Sequence, residues 1–557
     1  MHYNAQTGQT RRGAADGLAH LGGCLNPNSA NDATPAPAIP REFNAAHDLI
    51  ERNLRAGRAD TLAYIDDGGR YTYGELAERV DRFTVALRRL GLQQEQRILL
   101  CVQDSIEFPT AFLGAIKAGV VPVAVNTLLK SADYAYMLHD CRAIAVVVSS
   151  AVFGEFSTLL GRSPFLKHMI VTGAGPVPDG CLSMQSLLAE PAGPAEPATT
   201  IRDEPCFWLY SSGSTGAPKG TVHVHSSMIE TALLYGQSVL GIGAEDRIFS
   251  AAKLFFAYGL GNSLSFPLSV GATTLLMAER PTPQAVLARL RGLGPTIFCG
   301  VPTLYASLLG SDMPPRSELR LRRCTSAGEA LPPDILRRWR EATGVDILDG
   351  IGSTEMLHIF ISNRPESVRP GTVGKPVPGY EARICDDDGD PVTPGEIGDL
   401  YVRGPSAAKF YWNQRDRSRS TFQGHWTRTG DKFYTDPEGN YVFAGRSDDM
   451  LKVGGIYVSP VEVEAALVAH PAVLEAAVVG RDDDEQLVKP FAYVVLAAGH
   501  SPSPELARAL QSFIKERLAP YKYPRWVEFV SELPKTSTGK IQRFKLRDSR
   551  VTGPRDA

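Results

Sequence analysis

Between residues 97 and 149 the chain alternates short apolar runs with helix-patterned ones, and no other stretch restricts the fold as tightly. Residues 97–102, 120–125 and 143–149 predict strands; residues 108–117 and 131–139 predict helices. Strands separated by helices pair in parallel through crossover connections, which makes this an α/β chain built on parallel sheets. In open sheets of that kind, ligands bind at loops leaving the carboxyl ends of strands.

One such loop stands out. The stretch Tyr210-Ser211-Ser212-Gly213-Ser214-Thr215-Gly216-Ala217-Pro218-Lys219-Gly220 follows the apolar run 206–210 directly. Glycines let backbone N–H groups converge on phosphate oxygens, hydroxyls add neutral donors, and lysine supplies a mobile positive charge. The spacing is not that of a P-loop, because Lys219 precedes Gly220 rather than Ser or Thr and position 214 is serine. Composition alone also admits a flexible Ser/Gly linker, but a linker has no need of Pro218 and Lys219.

At 557 residues the chain exceeds what one core supports, so at least two domains are expected. A net charge of -3 gives no bulk attraction to nucleic acid or to an anionic membrane, so any polyanion must be met locally. The eight cysteines are scattered without a C-x-x-C pair, which argues against a disulfide framework or a zinc site and for a reducing compartment. Residues 1–40, rich in Gly, Ala, Asn, Thr and Pro, read as a disordered tail; Arg11-Arg12 have no apolar stretch behind them. No apolar run approaches the roughly 18 residues of a membrane span, and the cytoplasm is the expected location.

The character of the chain changes near Arg446. Ser459-Pro460-Val461-Glu462 predicts a capping box opening a helix that runs to residue 469, followed by strands at 473–479 and 491–496. A second helix opens at Ser503-Pro504 with Leu506, Leu510, Phe513 and Leu518 at helical spacing. The expected division is therefore a large domain over 41–446 and a small α+β domain over 447–557. The arm 519–550 is basic, with Lys540 set among glycine and hydroxyls in Pro534-Lys535-Thr536-Ser537-Thr538-Gly539-Lys540.

Taken in order, the 210–220 loop, Asp349-Gly350-Ile351-Gly352-Ser353-Thr354-Glu355, Trp426-Thr427-Arg428-Thr429-Gly430-Asp431, Gly445-Arg446-Ser447-Asp448-Asp449 and the Lys540 motif resemble the signatures of the adenylate-forming acyl-CoA synthetase superfamily. Within it, Phe255-Phe256-Ala257-Tyr258-Gly259-Leu260-Gly261-Asn262 and Glu355-Met356-Leu357-His358-Ile359 resemble the benzoate-CoA ligase group. The resemblance implies a large α/β domain with a smaller, mobile C-terminal α+β domain, and an ATP-dependent conversion of an aryl acid to its coenzyme A thioester through an acyl-adenylate. The substrate carboxylate is itself the nucleophile, so the enzyme's task is neutralising phosphate charge and aligning reactants.

By the same resemblance, Ser211, Ser212, Ser214, Thr215 and Lys219 cradle the β- and γ-phosphates, Thr354 contacts the α-phosphate, and Glu355 helps hold magnesium. Gly328, Glu329, Asp349 and Ile351 join the ATP site, Ile351 standing where many relatives carry a tyrosine that stacks on adenine. Asp431 binds the ribose hydroxyls with Arg446 in support; a structural Asp–Arg pair is the alternative. Lys540 bridges the substrate carboxylate and α-phosphate as catalytic lysine, Asp448 is the hinge, and Gly454-Gly455 admit the pantetheine arm of coenzyme A. Ala257, Tyr258, Gly352, His358 and Ile359 line the acyl pocket, a set suited to a flat ring; a core histidine with a backbone partner is the other reading of His358. His223 and His225 read as satisfied strand histidines. Partners implied are the small-molecule substrates, an acetyltransferase and deacetylase acting on Lys540, and a second copy in a homodimer. Hydroxybenzoate or aminobenzoate as substrate, loading of a carrier protein, and a non-enzymatic nucleotide sensor are the competing readings.

Overall fold

The strands Val121–Ala124, Ala145–Ser149 and Ile297–Gly300 are buried along their whole length, the condition under which strands covered on both faces pair in parallel. The computed structural model describes residues 38–548 apart from 160, 174, 214–215, 448, 454–455, 484–486 and 536–540. Among the described residues two large sheets organise the N-terminal domain. The first runs Phe410–Tyr411, Gly216–Val224, Pro205–Gly213, Val121–Ala124, Arg97–Cys101, Ala145–Ser149, His168–Thr172 and Leu182–Ser183, parallel from Pro205–Gly213 onward and antiparallel at the other end. The second has a parallel centre of Ile347–Gly352, Arg323–Ser326, Ile297–Gly300, Arg247–Ser250, Thr273–Leu275 and Leu62–Ile65.

One apolar cluster ties both sheets to the helices Ala45–Arg55, Tyr73–Arg89 and Glu107–Lys117, through Ile98, Leu100 and Val147 on the first and Ala63 and Tyr64 on the second. A third, antiparallel sheet carries Trp426–Thr435 beside Tyr441–Arg446. Beyond it lies the smaller domain, where Val473–Asp482, Val488–Leu496 and Trp526–Phe529 form a sheet against the helices Pro460–Val468 and Pro504–Lys515. Val463, Leu467, Val478, Val494, Leu510 and Ile514 give this domain a core of its own.

The alternation in 97–149 resolves into Arg97–Cys101, Glu107–Lys117, Val121–Ala124, Ser131–Cys141 and Ala145–Ser149. The fourth of these outlasts its expected end by a turn fraction because Arg142, at φ 52, closes it in the left-handed conformation. The expected capping box at Ser459 is half formed. Ser459 Oγ accepts from the Glu462 N–H, but the Glu462 carboxylate turns to Lys522, at 2.7 Å from both oxygens, rather than to the cap. The expected tail also stops short of residue 40: Ile39 is buried and its carbonyl accepts from Arg202, while residues 1–37 lie outside the described part.

Candidate active site

The loop at 210–220 is the tip of a hairpin. Pro205–Gly213 and Gly216–Val224 pair antiparallel, with Ser211 opposite Lys219 and Gly213 opposite Gly216, so the hydroxyl and the ammonium share one face. Because Pro205–Gly213 is also parallel to Val121–Ala124, the tip leaves the carboxyl end of a parallel strand, where a ligand loop is expected.

Three groups meet Glu355 there. Ser211 Oγ donates to Glu355 Oε1 at 3.3 Å, the Tyr411 hydroxyl donates to the same oxygen at 2.7 Å, and Lys219 Nζ stands 3.8 Å away. Lys219 also donates to the Tyr411 hydroxyl at 3.3 Å and lies 4.4 Å from the centre of its ring. Burial alone would push the Glu355 carboxyl up, but the Lys219 ammonium, the Tyr411 hydroxyl and the more distant Arg446 hold it below the usual range, so it is a carboxylate. Burial lowers the proton affinity of Lys219, as do the charges of Arg417 and Arg446, with Glu355 opposing.

Glu355 sits on a turn held by its backbone. The Thr354 carbonyl accepts from His223 Nε2 at 2.8 Å, the Glu355 carbonyl from Ala408 N–H at 2.7 Å, and the Met356 carbonyl from Ser406 Oγ at 2.7 Å. Leu357 completes the turn at φ 67, a conformation unusual for leucine.

Asp431 and Arg446 face each other across two strands and form an ion pair at 2.8 Å, the aspartate buried and the arginine half exposed. Arg446 acts electrostatically on both Lys219 and Glu355, so this pair borders the same site. Asp349 lies apart from them. Its carboxyl is buried and pushed well up by burial, one oxygen accepts from the Leu331 N–H at 3.4 Å, and it thereby supports the turn carrying Gly328, at φ 96, and Glu329. Ile351 lies within the second sheet opposite Ile361 and packs on the core beside it.

The residues expected at the acyl pocket split into two groups. Tyr258 is half-buried and its hydroxyl donates to Thr325 Oγ1 at 3.5 Å, next to Tyr235, whose hydroxyl is 3.0 Å from the same atom. Ala257 opens the short helix Ala257–Leu260, which passes into a π-helical turn at Gly261–Ser265. His358 and Ile359 are core residues. The His358 ring lies 5.1, 5.4 and 4.5 Å from the rings of Tyr235, Tyr258 and Phe266, and Nε2 donates to the Tyr258 carbonyl at 3.3 Å. Burial lowers its pKa to about 3, so it is neutral. Gly261 and Gly352 leave it room: a Cβ on the first would lie 2.4 Å from the His358 ring, and one on the second 2.5 Å from its carbonyl. His358 is thus a core histidine with a backbone partner, the alternative left open by its sequence.

His223 is a buried strand residue but only half satisfied, since its Nδ1 has no hydrogen-bond partner, and His225 is not a strand residue: it opens the following helix, where it accepts from the Ala45 N–H at 3.2 Å. Lys540, Asp448, Gly454, Gly455, Ser214 and Thr215 lie outside the described residues, as does the side chain of Ser212. Tyr411 and Thr325 escaped the sequence reading. Tyr411 belongs to the run Phe410-Tyr411-Trp412, and an aromatic hydroxyl on a two-residue edge strand carries no periodic signal.

A buried carboxylate surrounded by a lysine, a tyrosine and a serine at a glycine-rich tip suits an enzyme that manages phosphate charge. The family described as AMP-binding enzyme matches residues 50–412 and its C-terminal domain matches 462–540, so the chain belongs to the AMP-binding, adenylate-forming enzymes. It is 60% identical over 522 residues to a benzoate–CoA ligase of Thauera aromatica, covering 93% of this chain and 98% of that protein. It is 46% identical to a 4-hydroxybenzoate–CoA/benzoate–CoA ligase of Rhodopseudomonas palustris, covering 92% and 95%. Among solved structures, a benzoate CoA ligase from Burkholderia xenovorans LB400 superposes with a TM-score of 0.84 at 55% identity, covering 91% of this chain and all of that one.

Proposed function

We propose that the protein is an AMP-forming benzoate–CoA ligase. The observation that carries the reading is the convergence of Ser211, Lys219 and Tyr411 on Glu355 at the hairpin tip, in a chain so similar to a benzoate–CoA ligase. A benzoate oxygen attacks the α-phosphorus of ATP, the bond to the bridging oxygen breaks, and pyrophosphate leaves with its electron pair. The thiolate sulfur of coenzyme A, its proton gone to solvent, then attacks the acyl carbon and expels AMP.

Within that scheme Lys219 and Ser211, with Ser212, Ser214 and Thr215, hold the departing phosphates, Thr354 the α-phosphate, and Asp431 the ribose with Arg446 setting its orientation. Gly328 and Glu329 border the nucleotide, and Ile351 offers an apolar surface in place of the usual adenine-stacking tyrosine. The residues fit a magnesium ion that arrives with the nucleotide: Glu355 is ionised, and no group of three or more His, Cys, Asp or Glu is placed to hold a metal unaided among the described residues. Magnesium there supplies charge neutralisation of the triphosphate. Lys540 balances the charge of the carboxylate and α-phosphate in the first step, rotation about Asp448 removes it, and Gly454-Gly455 line the thiol's approach in the second. The hinge sets the boundary between domains at 446/447.

Tyr258 lies among the rings of Tyr235, His358 and Phe266, with no described ion pair among them, and that apolar, aromatic setting beside Ala257 and Gly352 favours a planar, uncharged ring as the acyl group. The hydroxyls of Tyr235, Tyr258 and Thr325 favour one second reading, a hydroxybenzoate accepted through hydrogen bonds. No helix among the described residues is long and apolar enough to cross a membrane, in keeping with a cytoplasmic enzyme. Acetylation of Lys540 by a protein acetyltransferase, reversed by a deacetylase, and a homodimer belong to the same reading.

The test is incubation with ATP, magnesium, coenzyme A and, in turn, benzoate, 4-hydroxybenzoate, 2-aminobenzoate and octanoate, following AMP and thioester. Benzoate turned over most efficiently supports the reading. Preference for a substituted ring moves the assignment to a neighbouring group, and octanoate used as well as benzoate ends the aryl reading.

A further inference from the structure

The strand that carries Lys219 also carries a histidine with no role in the scheme above. His223 is fully buried, opposite Phe207 in register, with its ring stacked on that phenylalanine at 5.3 Å and 18°. An apolar side chain would serve that position in a sheet at less cost, since imidazole must be stripped of water to enter it. Part of that cost is unrecovered: Nδ1 is buried without a hydrogen-bond partner. The other nitrogen is committed. Nε2 lies 2.8 Å from the Thr354 carbonyl, and a carbonyl only accepts, so the ring is the Nε2–H tautomer donating to that oxygen.

We infer that His223 is a positioning residue for the adenylation step, tying the phosphate hairpin to the Thr354–Glu355 turn so that Lys219 and Glu355 keep one geometry. Three consecutive carbonyls of that turn are held from two segments, the last two by Ala408 and Ser406 of one loop and the first by His223 of the hairpin strand. Apart from His223, the Thr354 carbonyl accepts, among the described residues, a longer bond from the Leu357 N–H at 3.2 Å, within a turn whose Leu357 stands at φ 67. Without the imidazole the turn is free to relax out of that conformation, carrying the Glu355 carboxylate away from Lys219 and the Tyr411 hydroxyl. The donor comes from the same strand as Lys219, four residues on, so hairpin and turn are joined side by side rather than only through Glu355 itself.

This inference rests on the proposed roles of Thr354 at the α-phosphate and Glu355 at magnesium. The experiment compares His223→Phe, which keeps a stacking ring and loses the donor, with His223→Gln, whose side-chain amide restores an N–H. Three measurements are made on each: magnesium-ATP affinity by calorimetry with no acid present, benzoate-dependent pyrophosphate exchange, and thioester formation from supplied benzoyl-adenylate. For His223→Phe the expected result is loss of about tenfold or more in pyrophosphate exchange and weaker ATP binding, with the second half-reaction within about threefold of wild type. His223→Gln should regain most of the loss. Both half-reactions falling together in His223→Phe with ATP affinity unchanged, or no recovery in a folded His223→Gln, overturns it. If His223→Phe is insoluble, His223→Met against His223→Gln provides the same contrast. Wild-type protein that binds magnesium-ATP but forms no AMP from benzoate refutes the benzoate assignment instead, and leaves the calorimetric comparison to decide the role of His223.

Discussion

At the scale of single residues the site is organised around one carboxylate oxygen. Glu355 Oε1 accepts from both Ser211 and Tyr411 and faces Lys219, so removing any partner leaves a buried charge less compensated. Tyr411→Phe is isosteric and deletes only the hydroxyl. It should reduce pyrophosphate exchange by about tenfold or more, on the scale of a lost hydrogen bond to a charged group, with a loss of stability of about 1–3 kcal/mol from the less compensated carboxylate. Unchanged exchange would remove Tyr411 from the site. Three buried histidines make a separate prediction about pH. Burial lowers the pKa of His223 to about 4, of His225 to about 4 and of His358 to about 3. Unfolded, each titrates near 6.5, so between pH 6.5 and 4 the unfolded chain binds protons that the native protein does not. The stability they contribute is therefore fully present above pH 6.5 and is lost as pH falls toward 4, on the order of 3 kcal/mol per histidine. Unfolding at pH 5 should take up close to three more protons at these residues than at pH 8, read from the slope of unfolding free energy against pH in wild type and in a His225→Gln variant that lowers it by one.

At the scale of elements, the small domain is fastened by one buried arginine. Arg543 makes two bonds to Glu464, at 3.0 and 2.6 Å, and lies 3.6 Å from Asp449, joining its helix Arg543–Asp548 to Pro460–Val468 and to the residues just after the hinge. Glu464 also accepts from the Val478 N–H at 2.7 Å, so three elements share the carboxylate. Glu464→Ala should cost on the order of 2–4 kcal/mol, because it leaves the largely buried Arg543 charge to the more distant Asp449 and the Val478 N–H without its acceptor. Hydrogen exchange ought to place the loss in residues 460–548, with the large domain's exchange unaffected. Glu464→Leu combined with Arg543→Met should recover much of the stability by replacing the pair with apolar volume. Equal exchange in both domains of the single variant would contradict the independence of the small domain's core.

At the scale of the whole molecule, the proposed scheme of two half-reactions uses two arrangements of the small domain against the large one. Asp448→Pro, which freezes a backbone dihedral at the proposed hinge, should allow pyrophosphate release and accumulation of adenylate while blocking thioester formation. Normal thioester formation by that variant would refute the hinge assignment. Acetylation of Lys540 should have the opposite profile, since it removes the charge needed for the first half-reaction and leaves the second largely intact. Mass spectrometry with activity measured before and after deacetylation checks it, and full adenylation by stoichiometrically acetylated protein would end the catalytic role of that lysine.

Much of this was legible in the residues. The run 97–149 yielded its parallel strands because burial on both faces imposes an unbroken apolar pattern, and the Gly/Ser/Lys stretch singled out the hairpin tip at the end of a parallel strand, where Ser211 and Lys219 meet Glu355. Asp431 and Arg446 form the structural ion pair that was the alternative to their ribose role. Contacts between distant segments were not legible. Tyr411 is 192 positions from Lys219 and 56 from Glu355, and His223 is 131 from Thr354; nothing local in the chain records that they meet. The same limit explains Glu462, whose capping role was a local inference displaced by a charge 60 residues away, and His358, which local chemistry could not assign to pocket or core. Sequence determined the periodicity, the turn chemistry and the set of charges, all properties of neighbours along the chain. Tertiary structure alone decided which of those charges and hydroxyls share an oxygen, because that depends on how two sheets and a small domain close over one another.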